Sequence, residues 1–376
     1  MAGLYIHIPF CKQACHYCNF HFSTSLKYKT EMVDAICEEI ELQKKYLQGA
    51  PLETIYFGGG TPSLLSRPEL EQIFEKIFKH HQVVEFPEIT LEANPDDLDQ
   101  IKLKALSNTP INRLSIGIQS FAEEDLRAMN RAHNAEEAKK CILWAKEIGF
   151  DNLTIDLIYG SPTTSDTVWE KNLEQAIAFD IPHISSYCLT VEPQTALDHF
   201  VRTGKAKPVD EEQANRQFEF LIQYLQSNGF VHYEISNFAK PNCFARHNSN
   251  YWKGIPYLGI GPSAHSFNGE SRQWNIAHNA KYLKALGAGE LAFELENLTL
   301  EQRYNEYVMV GLRTIWGCDL KQIQAFGKEY EQHFLDKAKP FLKEGKLLKK
   351  GENYSLSMSG KHLADGIAME LFYEGE

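Results

Sequence analysis

The chain has 376 residues, of which 43% are hydrophobic, 12% aromatic and 23% charged. This is an ordinary balance for a chain that buries a core, and at roughly 100–200 residues per domain it suggests one large domain with a smaller companion; disorder, collagen and coiled coil are excluded. Lysine and arginine number 38 against 50 acidic residues, a net charge of -12 that argues against broad binding to nucleic acid.

Apolar runs stay short of the ~18 residues that a membrane span needs. The opening MAGLYIHIPFCK lacks a basic region followed by an apolar stretch, so a cytoplasmic location is expected. From the start to about residue 230, short apolar runs at 4–10, 53–60, 88–95, 112–121, 152–160 and 183–190 alternate with segments of helical period. Within 27–46, Met32, Ile36 and Ile40 recur every four residues; within 210–228, Phe218, Leu221, Ile222 and Leu225 fall at i, i+3, i+4 and i+7. Six such alternations predict an α/β fold, a parallel sheet with helical crossovers. They are too few for a closed eight-stranded barrel and leave an open partial barrel or a doubly wound sheet.

Residues 231–299 read as an extension without that alternation, rich in Asn, Gly, Pro and aromatic side chains. Over 300–376, helical stretches near 300–314, 319–327 and 330–344 precede a hairpin-like segment at 347–357 and a last helical piece. That order predicts a small α+β C-terminal domain, for which plain packing onto the main domain and a winged-helix-like module are the two readings. Lys337, Lys339, Lys343, Lys346, Lys349 and Lys350, opposed by Glu344, read as a solvated face.

The eight cysteines divide in two. Cys37, Cys141, Cys188, Cys243 and Cys318 stand singly and read as small core hydrophobes. Cys11, Cys15 and Cys18, spaced C-x3-C-x2-C, crowd onto a loop directly after the first strand. Structural zinc wants four ligands, which His16 and His21 could complete. A [4Fe-4S] cluster held by three thiolates leaves one iron with an open position, where a cofactor or substrate binds. Further polar groups sit at successive strand ends: the Gly58-Gly59-Gly60-Thr61-Pro62 turn, Glu92, Gln119 and Asp156. In a βα barrel such positions mark the active-site face.

CKQACHYC followed by Asn19-Phe20 resembles the cluster motif of the radical S-adenosylmethionine (SAM) superfamily. The resemblance implies a partial (β/α)6 barrel over residues 1–230. It also implies a [4Fe-4S] cluster on Cys11, Cys15 and Cys18, with SAM on the fourth iron and a 5′-deoxyadenosyl radical as the product of its reductive cleavage. More narrowly, GIQSF and the NRAH segment around Arg131 are similar to strings of the coproporphyrinogen III oxidase-like group. By that likeness Tyr5, Gly59 and Glu92 would meet the first SAM. Tyr17, Gly60, Thr61, Gln119, Arg131 and Asp156 match positions that hold a second SAM in the oxidase.

Two departures resemble the HemW-type heme-chaperone branch: no long extension precedes Cys11, and position 20 is Phe where the oxidase has a further cysteine. His247-Asn248-Ser249-Asn250-Tyr251-Trp252 matches that branch's HNxxYW motif. The branch implies heme as ligand, with His247 as the expected axial ligand, and an acceptor protein, a respiratory heme enzyme among the candidates. Contact with a membrane surface stays open, and no side chain is assigned a catalytic role. The alternative is the oxygen-independent oxidase itself, which decarboxylates coproporphyrinogen III to protoporphyrinogen IX.

Overall fold

The computed structural model describes residues 1–375. Six parallel strands lie side by side in chain order: β1 (Ala2–Ile8), β2 (Leu52–Gly59), β3 (Val83–Ala93), β4 (Arg113–Gln119), β5 (Leu153–Tyr159) and β6 (His183–Cys188). Helices α1 (Lys29–Leu42), α2 (Arg67–His80), α3 (Gln100–Leu106), α4 (Glu123–Ala128), α5 (Ala135–Ile148) and α6 (Asp166–Ala178) carry the crossovers. After β6 come α7 (Ala196–Arg202) and α8 (Glu211–Ser227). The sheet stays open, because β1 continues into a later strand rather than meeting β6. This is the expected α/β partial barrel.

Residue alternation explains the layering. Ile6, Ile55, Phe57, Leu91, Leu114, Ile116 and Ile155 point outward into the helices and are fully buried. The opposite face of the same strands is polar: Thr54, Thr90, Glu92, Arg113, Ser115, Asp156 and Ser185 face inward. Parallel pairing brings them abreast, Thr90 beside Arg113, Glu92 beside Ser115 and Asp156 beside Ser185. Helices begin where their caps dictate. Ser66 with Glu69 forms a capping box at α2, and Asn134 with Glu137 does so at α5, which ends on Gly149 in the left-handed conformation. Leu70, Ile73, Phe74 and Ile77 form the buried stripe of α2, each contributing about 1.5–3 kcal/mol by leaving water.

Residues 231–299 lengthen this sheet at both edges. β7 (Val231–Glu234) and β8 (Asn237–Ala239) join beside β6. Then α9 (Arg246–Trp252) leads to β9 (Tyr257–Ile260), which pairs parallel with β1. Antiparallel β10 (His265–Phe267), β11 (Ser271–Asn275) and, after α10 (Asn279–Leu286), β12 (Phe293–Asn297) follow outward. Glu39 on α1 fastens the addition to the barrel. Its buried carboxylate accepts from Gly261 N (2.8 Å), Asn275 Nδ2 (2.7 Å), Tyr282 Oη (2.6 Å) and Gln43 Nε2 (3.1 Å).

The C-terminal domain runs α11 (Leu300–Leu312), β13 (Cys318–Asp319), α12 (Leu320–Phe326), α13 (Lys328–Lys343), β14 (Leu347–Lys350) and β15 (Asn353–Leu356). Two short helices, α14 (Met358–Lys361) and α15 (Ala364–Glu370), complete it. Its three antiparallel strands lie in the order β13-β15-β14. Tyr304, Val308, Phe334, Tyr354 and Leu371 centre a core separate from that of the barrel. The helices, the hairpin between β14 and β15 and the separate core make up the small α+β unit expected after residue 300. Of the single cysteines, Cys37, Cys141 and Cys318 are buried core residues. Cys188, the last residue of β6, and Cys243, in the loop between β8 and α9, are only half-buried.

Candidate functional site

The cysteine loop leaves the end of β1 and is closed at its base by a bridge between Phe10 and Ser23. There Cys11 N donates to Ser23 O (3.0 Å) and Ser23 N to Pro9 O (2.9 Å). Its far side is pinned to the segment after α4: His16 N donates to Met129 O (3.1 Å), Gln13 Nε2 to Asn130 O (3.0 Å) and Asn130 Nδ2 to Ala14 O (2.7 Å). All three thiols are half-buried and unbridged, and they line one cavity of about 400 Å³. His16 donates through Nδ1 to Ala128 O (3.0 Å) and His21 Nε2 bonds the Asn279 side chain (2.7 Å), so both are engaged away from the thiols. Among the described residues, no three Cys, His, Asp or Glu side chains converge on a single ion. In an iron–sulfur cubane each thiolate holds a different iron, so sulfurs that share a cavity without converging suit a cluster better than zinc. Burial pushes the Cys11 thiol up to about 11, so loading a metal there must displace protons.

Gly59 adopts φ +103°, and a Cβ on Gly60 would fall 2.6 Å from Phe10 O and 2.8 Å from Ile8 O. Glycine therefore lets the β2 turn pack against the cysteine loop's base. Gln119 ends β4 at φ +64°, a left-handed conformation that costs a non-glycine residue about 1–3 kcal/mol and directs its side chain into the cavity. Arg131 spans the same space. Its guanidinium donates to Cys15 Sγ (3.2 Å), Tyr17 Oη (3.4 Å), Asn94 Oδ1 (2.7 Å) and Gly117 O (2.8 Å). The cavity thus gathers Cys11, Cys15, Cys18, Tyr17, Gly59, Gly60, Thr61, Glu92, Gln119, Arg131 and Asp156. Burial lifts Glu92 to about 7 and Asp156 to about 6, even though Tyr56 Oη donates to Glu92 at 2.7 Å. Cys188 also lines this cavity.

A larger cavity, about 1030 Å³, adjoins the first and shares Asn19, Phe20, Gly59 and Glu92 with it. Tyr5 lies here rather than in the smaller space. One wall is a sheet face, where Tyr257, Phe267 and Arg272 are cross-strand neighbours on β9, β10 and β11, with His265 alongside. Facing it are Arg303, Glu306, Tyr307 and Val310, one stripe of α11. Tyr251, Trp252 and Lys253, at the end of α9, complete the lining.

His247 does not face this cavity. Its ring is buried, Nδ1 bonds Thr54 Oγ1 (2.7 Å) and Nε2 bonds Tyr251 Oη (2.8 Å), while the ring stacks on Tyr56 at 4.9 Å. Burial drives its pKa down to about 3, so it is neutral. With both nitrogens taken, His247 offers none to an iron in this geometry; it fixes the Tyr251 phenol instead. The start of α9 is held by Glu88, whose carboxylate accepts from Arg246 N (3.0 Å) and His247 N (2.9 Å).

The radical SAM superfamily pattern matches residues 5–176, and the HemN C-terminal domain pattern matches residues 298–363. The chain is 31% identical over 372 residues to the heme chaperone HemW of Bacillus subtilis, a match that covers 98% of each. The chain belongs to the HemW family. A HemW of Escherichia coli K12 is 38% identical over 268 residues, 70% of this chain and 69% of that relative. Coproporphyrinogen III oxidase of Escherichia coli, a radical SAM enzyme of solved structure, aligns with a TM-score of 0.85 at 23% identity. It covers 99% of this chain and 90% of its own, which shows a shared fold. Membership of the radical SAM superfamily implies a [4Fe-4S] cluster and SAM.

Sequence reasoning missed several members of this HemW-family site. Asn94 bridges Arg131 to Thr61, donating from Nδ2 to Oγ1 at 3.2 Å. Tyr56, Glu88, Arg272 and Arg303 were also unforeseen. The period-2 alternation of β2 and β3 carried a signal for the first two, since it places Thr54, Tyr56, Glu88 and Glu92 on one face. Nothing local marked the arginines.

Proposed function

We propose that this protein carries heme in the larger cavity and hands it to an acceptor protein, beside a radical SAM site built on Cys11, Cys15 and Cys18. The observation that carries the reading is the cavity itself: about 1030 Å³, aromatic-lined and walled by the HNSNYW helix. Such a volume reaches the upper range of small-molecule pockets. Two HemW relatives named heme chaperones, the one from Bacillus subtilis matching nearly end to end, support the same reading.

Of the histidines that line this cavity, His7 is engaged through both ring nitrogens and His21 through Nε2. His265 has neither nitrogen hydrogen-bonded among the described residues, and its ring stacks on Trp274. It is therefore the axial ligand we assign, with Tyr251 and Tyr257 beside the macrocycle. Next door, the cysteine thiols would hold the cluster, Arg131 would offset its negative charge, and Gly59, Gly60, Thr61, Glu92, Gln119 and Asp156 would bind SAM. When bound, cluster and SAM supply one-electron chemistry. The chain's own residues position them and exclude water. Glu92 and Gly59, common to both cavities, put the two ligands within reach of a shared wall.

The test is a heme titration of anaerobically reconstituted protein, followed at the Soret band, for wild type, His265→Ala and His247→Ala. Saturation at one heme per chain is expected. The His265 variant should lose the ligand-field signature, and the His247 variant should keep it with weaker affinity, because of its partners Thr54, Tyr56 and Tyr251 only Tyr251 lines the cavity. Absence of saturable binding, or turnover of coproporphyrinogen to protoporphyrinogen, would overturn the carrier reading in favour of the oxidase.

A further inference from the structure

The larger cavity carries positive charge that the rest of this acidic chain does not predict. Lys253, Arg272 and Arg303 line it, against Glu306 and Glu92, whose burial raises its pKa to about 7. The two arginines differ in state. Arg272, on the β11 face, is ion-paired with Glu306 of α11, a contact that joins the two walls. The guanidinium of Arg303, one turn before Glu306 on the same stripe, makes no hydrogen bond or ion pair with any described residue. The Nε atoms of both arginines are buried without a partner. An unpaired buried guanidinium nitrogen is costly unless something completes its hydrogen bonds.

We propose that Arg303, with Arg272 beside it, is a carboxylate-binding pair that receives the propionates of the porphyrin. The inference rests on the reading of this cavity as the heme site and adds the orientation of the ligand within it. A guanidinium offers a planar fork of donors that matches a carboxylate, and heme carries its two carboxylates on one edge. That edge would lie against α11, with the iron toward His265 on the opposite sheet face. Glu306 then has a defined part: it holds Arg272 while no ligand carboxylate is present, and an arriving propionate must compete with it. Arg303 is the site of first capture, because its guanidinium has no partner among the described residues to give up.

The experiment compares heme with its dimethyl ester, whose propionates are uncharged, on wild type, Arg303→Gln and Glu306→Gln. We expect Arg303→Gln to weaken heme about tenfold, the loss of one charge-assisted contact, and to leave the ester's affinity unchanged. Glu306→Gln should tighten heme severalfold by releasing Arg272, again without effect on the ester. Circular dichroism and urea midpoints serve as the fold control. The Arg303 side chain has no polar partner among the described residues, so its variant should unfold as wild type does. If wild type binds heme and ester equally and Arg303→Gln changes neither, the carboxylate pair is wrong while the carrier reading stands. If wild type binds neither ligand, the carrier reading fails and the pair with it.

Discussion

Glu92 lies on the wall between the two cavities, and its burial makes a quantitative prediction. Burial raises its pKa from 4.5 to about 7, even though Tyr56 donates to it and Gly59 N supports the charged form. At 1.36 kcal/mol per pH unit, that displacement is worth about 3 kcal/mol against the ionised folded chain. The folded pKa lies above the unfolded one. Between pH 4.5 and 7 the folded chain therefore binds more protons, and stability falls as pH rises, levelling off above pH 7. Glu92→Gln cannot ionise, and its amide oxygen still accepts from Tyr56. The variant should match wild type near pH 4.5 and become more stable by up to about 3 kcal/mol near pH 8. Asp156, whose charge helps to raise Glu92, titrates in both proteins, so the difference reports Glu92 together with its coupling to Asp156. The assay is the barrel's urea-unfolding transition between pH 4.5 and 8, on protein free of cluster and SAM. Stability curves that run parallel across that range would refute the burial argument.

Cys11→Ala, Cys15→Ala and Cys18→Ala should each abolish stable cluster reconstitution, lowering iron content and the broad absorbance near ~400 nm. Cys188→Ala, whose thiol lines the same cavity, should retain full iron; an equal loss there would make it a ligand. Gly60→Ala would push a methyl group against the carbonyls of Phe10 and Ile8. It should destabilise the barrel by about 2 kcal/mol or more and impair iron loading. An unchanged urea midpoint with normal iron would show that the loop's base yields without cost.

The sequence by itself determined whatever is short-range in the chain. Three cysteines within eight residues, glycines at the end of β2, and helical stripes bounded by Ser66 and Asn134 are local patterns. Six alternations of a short apolar run with a helical period were enough to predict the parallel sheet, and the order of helices and hairpin to predict a small α+β C-terminal domain. Residues 231–299 read poorly because their strands are three to five residues long, too short to display a period. Tertiary structure decided the neighbours of each polar side chain. His247 meets Thr54, 193 residues earlier, and Glu88 caps α9 from 158 residues away. Those contacts occupy both ring nitrogens of the motif's histidine, the expected iron ligand, in this geometry. Likewise Arg272 and Arg303 line one cavity because a sheet extension and the C-terminal domain both contribute to its walls. Hydrogen bonds are directional and short, so their partners follow from strand register and domain docking, which no window of sequence contains.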